Sequence, residues 1–225
     1  SFPADRKETE GKLMYNFTLQ IPTRIHFGKD TISYLSELKE YGDKVLLVYG
    51  GGSIKKNGIY DTAMQLLKDA ALTVFELSGV EPNPRIETVR KGVTICKEEG
   101  IDMVLAIGGG STIDCSKVIA AGAKYDGDAW DLVLDATKIK AALPIFDVLT
   151  LSATGTEMDP FAVISDLTKN EKWGTGSPYM VPTMSILNPE YTYSVSKKQT
   201  AAGTADMMSH TCLLYTSPSP RDKRQ

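Results

Sequence analysis

The chain has few of the residues that announce a particular chemistry. Cysteine occurs three times in 225 residues, as Cys96, Cys115 and Cys212, never with CxxC spacing. An odd and scattered set excludes a disulfide framework and a zinc ribbon, and leaves buried thiols as the expectation. Histidine occurs twice, at His26 and His210. No apolar run approaches the roughly 20 residues that cross a bilayer, and the opening SFPADRKETEGK is charged where a secretion signal is apolar. Basic residues are not in excess either: 25 Lys and Arg stand against 28 Asp and Glu, a formal net charge of −3. Without a basic cluster, nucleic acid is excluded as the expected partner. A cytoplasmic location is the default expectation that remains.

What is present is an ordinary globular composition, 42% hydrophobic and 24% charged, long enough for a sizeable core. From residue 24 the pattern alternates. Residues 24–27 read as a strand and 31–41 as a helix with Ile32, Leu35 and Leu38 on its apolar face. KVLLVYGGGS is a buried strand running into glycines, followed by a helix over 60–71 with a stripe of Ala63, Leu66, Leu67 and Ala70. LTVFEL is a third strand, 85–99 a helix, DMVLAIGGGS another strand into glycines and 112–123 the helix after it. Short apolar runs separated by helices predict an α/β fold, a doubly wound parallel sheet covered on both faces. PIFDVLT, FAVIS with hairpin pieces around Lys172 and Trp173, and PTMSILNP supply further strands, and a helix is expected from about Ser196 to Cys212.

The two ends read as foreign to this pattern. Residues 1–13 are expected to be a non-native or disordered leader, with Met14 as a natural start, and residues 213–225 a non-native tail ending in SPSPRDKRQ. Residues 14–195 then form a dinucleotide-binding domain, and 196–212 only the start of a helical, metal-binding one.

In an open parallel sheet, ligands bind beyond the carboxyl ends of the strands. Gly108-Gly109-Gly110-Ser111 sits at such a junction, where glycines let backbone approach a diphosphate and the next helix offers its N-terminus. The spacing is not GxGxxG, and a purely structural turn is the alternative. The earlier turn, Gly50-Gly51-Gly52-Ser53, carries no acidic residue to bind a ribose 2′-hydroxyl, while Lys55 and Lys56 follow it. That favours NADP over NAD, unless the lysines are simply a solvated helix start. The loop from Thr150 to Glu157 is rich in small hydroxyl residues suited to ribose and phosphate, or to turns and caps. Asp206 and His210, four apart on a helix, share a face and can grip one metal ion; as an isolated pattern they are more often a surface pair.

Taken together, RIHFG, VYGGGSIKKNGIYD, GVEPNPR, AIGGGSTIDCSK, LSATGTEMD and TAAGTADMMSH resemble the iron-containing, or group III, alcohol dehydrogenases, in their butanol-dehydrogenase-like branch. The resemblance runs from about Met14 to His210. It implies an N-terminal dinucleotide domain and a C-terminal all-helical domain, with NADP (or NAD) and a divalent metal, iron or zinc, in the cleft between. It places Gly50, Gly51, Gly52 and Ser53 near the adenosine ribose and Asn83 by the adenine. Gly109, Gly110, Ser111 and Asp114 fall around the pyrophosphate and nicotinamide ribose, and Thr150, Thr154 and Lys172 along the cleft. Asp206 and His210 match the first two of four metal ligands; the two further histidines are absent from this sequence, whose other histidine, His26, is expected to be structural. Asp159 stands where the family often has Asn and needs a partner or a raised pKa. The implied activity is hydride transfer between NADP(H) and a small primary alcohol or aldehyde such as butanol or butyraldehyde, in a homodimeric parent. This chain by itself is expected to hold metal weakly and to lack turnover. A dehydroquinate-synthase-like or glycerol-dehydrogenase-like protein of the same fold, or a non-catalytic nucleotide-binding module, are the alternatives.

Overall fold

The computed structural model describes residues 20–216, and side chains as far as residue 212. The expected leader at 1–13 lies outside the described residues, as does the expected tail at 213–225 from residue 217 onward. In chain order the elements are β1 (Arg24–Phe27), a 3-10 segment (Thr31–Tyr41), β2 (Lys44–Tyr49), α1 (Ser53–Lys56), α2 (Ile59–Asp69), β3 (Thr73–Leu77), α3 (Ile86–Glu99), β4 (Met103–Gly108), α4 (Gly110–Gly122), α5 (Ala129–Leu134), β5 (Ile145–Leu149), β6 (Phe161–Asp166), β7 (Glu171–Gly176), β8 (Met184–Leu187) and α6 (Lys197–Thr216).

Six strands form one sheet in the order β1-β8-β5-β4-β2-β3, and every pair in it is parallel. The central strands are apolar at nearly every position because both of their faces are covered. On one face Leu46, Val48, Val104 and Ile145 pack against α3, α4 and α5; on the other Val45, Leu47, Leu105 and Phe146 pack against the 3-10 segment and α2. The fold is therefore a doubly wound α/β sheet. Helix α4 is buried along most of its length, since α3, α5 and β6 cover it. Glycines let α3 and α4 close together: a Cβ at Gly92 would lie 2.4 Å from Ile119 Cδ1, and one at Gly122 2.6 Å from Val93 Cγ2. β6 and β7 form a separate antiparallel hairpin.

Four local expectations need correction. Residues 31–41 wind as a 3-10 helix, and their buried apolar residues Ile32, Leu35 and Leu38 recur every third position, the 3-10 period. α4 starts at Gly110, which brings Ser111 into its first turn. Helix α5 was not anticipated; Asp128 caps it by accepting from Trp130 N–H at 3.2 Å. α6 continues through Cys212 to Thr216 instead of stopping, and Cys212 is exposed, unlike the buried Cys96 and Cys115. Burial pushes the Cys96 thiol up to about 12 and the Cys115 thiol higher still, so both behave as small apolar residues. No helix among the described residues is long and apolar enough to cross a membrane.

Candidate functional site

From β2 the chain moves outward to β3; from β4 it moves the other way to β5, although β2 and β4 are neighbours. Connections that diverge from adjacent strands leave a crevice above their carboxyl ends. Both glycine turns sit there. They wall a cleft of about 350 Å³, with Gly50 to Ser53 on one side and Gly108 to Ser111 on the other, and Thr150, Leu151, Ser194 and Gln199 along the rim.

The glycines are there for different reasons. Gly52 has φ 92°, a conformation that side chains rarely adopt. A Cβ at Gly108 would fall 2.5 Å from Thr112 Oγ1, so the strand-to-helix turn itself demands glycine. Gly51 is different: its φ is not in the left-handed region and a Cβ would meet nothing within 4 Å. The fold makes no demand for glycine at Gly51.

Across the cleft, α4 runs 13 residues with Gly109 as N-cap and no side chain capping it. Thr112 and Ile113 N–H donate to the Gly109 carbonyl at 3.0 and 3.3 Å, while the N–H groups of Gly110 and Ser111 precede the first intrahelical acceptor and the dipole places partial positive charge beside them. That is an anion-binding arrangement. At its edge Ser111 Oγ accepts from Asn83 N–H at 3.3 Å, and Lys172 Nζ donates to Asn83 Oδ1 at 2.7 Å. Asn83 itself sits at φ 57°.

Of the expected cofactor residues, Gly50, Gly51, Gly52, Ser53, Gly109, Gly110, Ser111 and Thr150 line this cleft. Asn83, Lys172, Thr154 and Asp114 stand behind or beside the lining. Thr154 Oγ1 would lie 3.5 Å from a Cβ at Gly110. The Asp114 carboxylate is occupied within the fold, accepting from Thr156 Oγ1 at 2.6 Å and from Val163 N–H at 3.0 Å. Burial raises its pKa, and those two donors pull it back. Neither Lys55 nor Lys56, expected near a 2′-phosphate, lines the cleft.

Sequence reasoning missed Lys117, which lies fully buried about two turns along α4. Its ammonium faces the Thr156 carbonyl at 2.6 Å and hydroxyl at 2.8 Å, the Asp159 carbonyl at 2.8 Å and carboxylate at 2.9 Å, and the Phe161 carbonyl at 2.9 Å. The Thr156 hydroxyl in turn donates a hydrogen bond to Asp114, so one chain of hydrogen bonds ties the helix that opens at Gly110 to the loop beside the cleft. Burial lowers the Lys117 pKa while Asp159 opposes it. The partner that Asp159 needs is thus Lys117. A lysine beside the apolar run Val118, Ile119, Ala120 and Ala121 was the available signal.

Asp147 on β5 is a second buried group. It lies beside Ser185 of β8 in the register, and Ser185 Oγ is 2.6 Å from Asp147 Oδ2 and 2.8 Å from the Glu157 carbonyl. One hydroxyl proton cannot serve both acceptors. The arrangement closes if Asp147 carries a proton that it donates to Ser185 while Ser185 donates to Glu157. Burial pushes the Asp147 carboxyl well above the usual carboxylate range, in agreement with that assignment.

Asp206 and His210 lie on one face of α6, with Oδ1 and Nε2 3.6 Å apart and both side chains partly exposed. Two bonds of about 2.1 Å to one ion can span that gap, and imidazole with carboxylate suits iron or zinc. Among the described residues no group of three or more His, Cys, Asp and Glu could hold a metal. The pair fits part of a coordination shell, and His26 does not extend it: it stacks on Tyr34 from β1, ring centroids 3.6 Å apart.

The profile of the iron-containing alcohol dehydrogenases matches residues 22–189. The chain belongs to the iron-containing alcohol dehydrogenase family. It is 60% identical over 205 residues to NADH-dependent butanol dehydrogenase A of Clostridium acetobutylicum, covering 91% of this chain and 53% of that protein. It is 42% identical over 207 residues to the NADPH-dependent aldehyde reductase YqhD of Escherichia coli, again covering 91% and 53%. The crystal structure of NADH-dependent butanol dehydrogenase A from Thermotoga maritima superposes with a TM-score of 0.85 at 47% identity, over 88% of this chain and 50% of that one. This iron-containing alcohol dehydrogenase chain therefore spans about half the length of the relatives it matches.

Proposed function

We propose that the chain is the nucleotide-holding part of a metal-dependent alcohol dehydrogenase or aldehyde reductase, moving hydride between a nicotinamide dinucleotide and a small primary alcohol or aldehyde of the butanol class. The observation that carries this is the pair of glycine turns facing each other across one cleft at the point where the sheet connections diverge. In this reading the N-terminus of α4 neutralises the pyrophosphate through backbone N–H groups, the Gly50 to Ser53 turn accepts the adenosine ribose, and Thr150 faces the nicotinamide half. Lys117 holds the loop from Thr156 to Phe161 against α4, which braces the helix whose N-terminus faces the cleft. Asp206 and His210 supply two metal ligands, and residues 196–212 begin the metal-binding domain. A bound divalent ion would act as a Lewis acid toward the carbonyl oxygen.

The names of the related butanol dehydrogenases and aldehyde reductase support the reaction class. A cytoplasmic homodimer is the expected form of the parent. A second reading, a nucleotide-binding module without turnover, draws on the metal donors: only two of them come together among the described residues. Fluorescence titration of this chain with NADH, together with butyraldehyde reduction by the full-length parent with and without added zinc or iron, decides between them. Dinucleotide binding with metal-dependent consumption of NADH supports the dehydrogenase; binding alone supports the module. Absence of binding overturns both.

A further inference from the structure

Beside the ribose turn lies a charge cluster that bears on which dinucleotide the cleft takes. Glu76 of β3 accepts from the Tyr49 hydroxyl at 2.7 Å and from the Tyr60 hydroxyl at 2.9 Å. Over the same two rings sits the Lys55 ammonium, 5.1 Å from the Tyr49 centroid and 4.4 Å from that of Tyr60. Tyr49 is buried at the end of β2 and cannot turn toward the cleft without leaving the core. The tyrosines therefore form a fixed platform, Glu76 supplies its negative charge, and Lys55 is drawn onto it. Lys56 is exposed and also stands outside the lining. As a result, among the described residues the cleft wall contains no charged side chain of either sign.

A ribose 2′-hydroxyl needs only neutral donors and acceptors, which Ser53 and the Gly50 to Gly52 backbone provide. A 2′-phosphate brings close to two negative charges into the same place and requires a cation. Resting on the dinucleotide reading above, we propose that Glu76, through Tyr49 and Tyr60, withholds Lys55 from the ribose turn and so makes this chain select NADH over NADPH. The sequence-based leaning toward NADP counted Lys55 as available; its placement over the tyrosine rings reverses that leaning.

The test compares NADH and NADPH dissociation constants, by fluorescence titration at low ionic strength, for the unmodified chain, Glu76→Gln and Lys55→Met, with a thermal melt of each. The unmodified chain is expected to bind NADH more tightly. Glu76→Gln can accept from one tyrosine hydroxyl and donate to the other, removes the charge that holds Lys55, and should improve NADPH binding relative to NADH by about fivefold, the worth of one exposed charge contact. Lys55→Met should leave the ratio unchanged, since the ammonium is already withheld; this arm stands even if Glu76→Gln fails to fold. The proposal is overturned if the unmodified chain prefers NADPH, if Glu76→Gln folds and leaves the ratio where it was, or if Lys55→Met weakens NADPH selectively. Failure of the chain to bind either dinucleotide has a different signature: it removes the underlying reading and the selection with it.

Discussion

Gly51 separates what the fold requires from what a ligand requires. Replacing Gly51 with Leu adds four carbons at a position where a Cβ meets nothing within 4 Å and where φ is outside the left-handed region. Stability should change by no more than about 0.5 kcal/mol, because the site is exposed and unstrained, which moves the midpoint of a thermal melt by less than about 2 °C. Binding is another matter. The cleft holds about 350 Å³, near the lower end of the roughly 300–1,000 Å³ that ligand pockets occupy, so four extra carbons on its wall leave no spare room. Dinucleotide affinity should fall at least about tenfold, a loss of about 1.4 kcal/mol. Gly108→Ala is the contrasting change: its Cβ would fall 2.5 Å from Thr112 Oγ1, so stability should drop along with binding. Thermal melts and NADH titrations of the two variants check this. Unchanged NADH affinity in a folded Gly51→Leu protein would refute the assignment of this turn to the ribose.

Three further outcomes are expected. Lys117→Met strips a buried cation from Thr156, Asp159 and Phe161 and should cost about 3–5 kcal/mol in chemical denaturation; a loss under about 1 kcal/mol would mean that the network is not held by its charge. Because burial raises the Asp147 pKa, the folded state keeps a proton that the unfolded chain releases above about pH 4. Stability from this group is complete below that pH and declines by up to about 1.4 kcal/mol per pH unit as pH rises toward the folded value; Asp147→Asn should abolish that part of the slope in denaturation curves taken across pH, and an unaltered slope would show Asp147 already ionised. His210→Ala should leave NADH affinity unchanged while reducing zinc binding by isothermal titration, and a loss of NADH affinity instead would place His210 at the dinucleotide.

Much of the fold could be read from pattern alone. Central strands declare themselves because burial on both faces permits only apolar residues, as in KVLLVY and MVLAIG. Where the reading slipped, the period or the cap was misjudged: Ile32, Leu35 and Leu38 step by three, and Asp128 before Ala129 was an N-cap signal left unused. The cleft was legible because its turns need glycine for backbone reasons, which leaves a mark in the sequence. Partnerships across the chain were not legible. Lys117 finds Thr156 and Asp159 some forty positions away, Asp147 meets Ser185 across two adjacent strands, and Lys55 lies on a platform completed by Glu76 from β3. Only the packing of distant segments says which neighbour each charge answers to.

The most direct measurement is a backbone amide NMR map of the chain with and without NADH. Resonances of Gly50 to Ser53 and Gly109 to Ser111 should move together and saturate at one affinity, with those of α6 from Lys197 onward moving little beyond Gln199. Shifts that leave both glycine turns untouched, or that gather instead around Asp206 and His210, would contradict a dinucleotide held between β2 and β4.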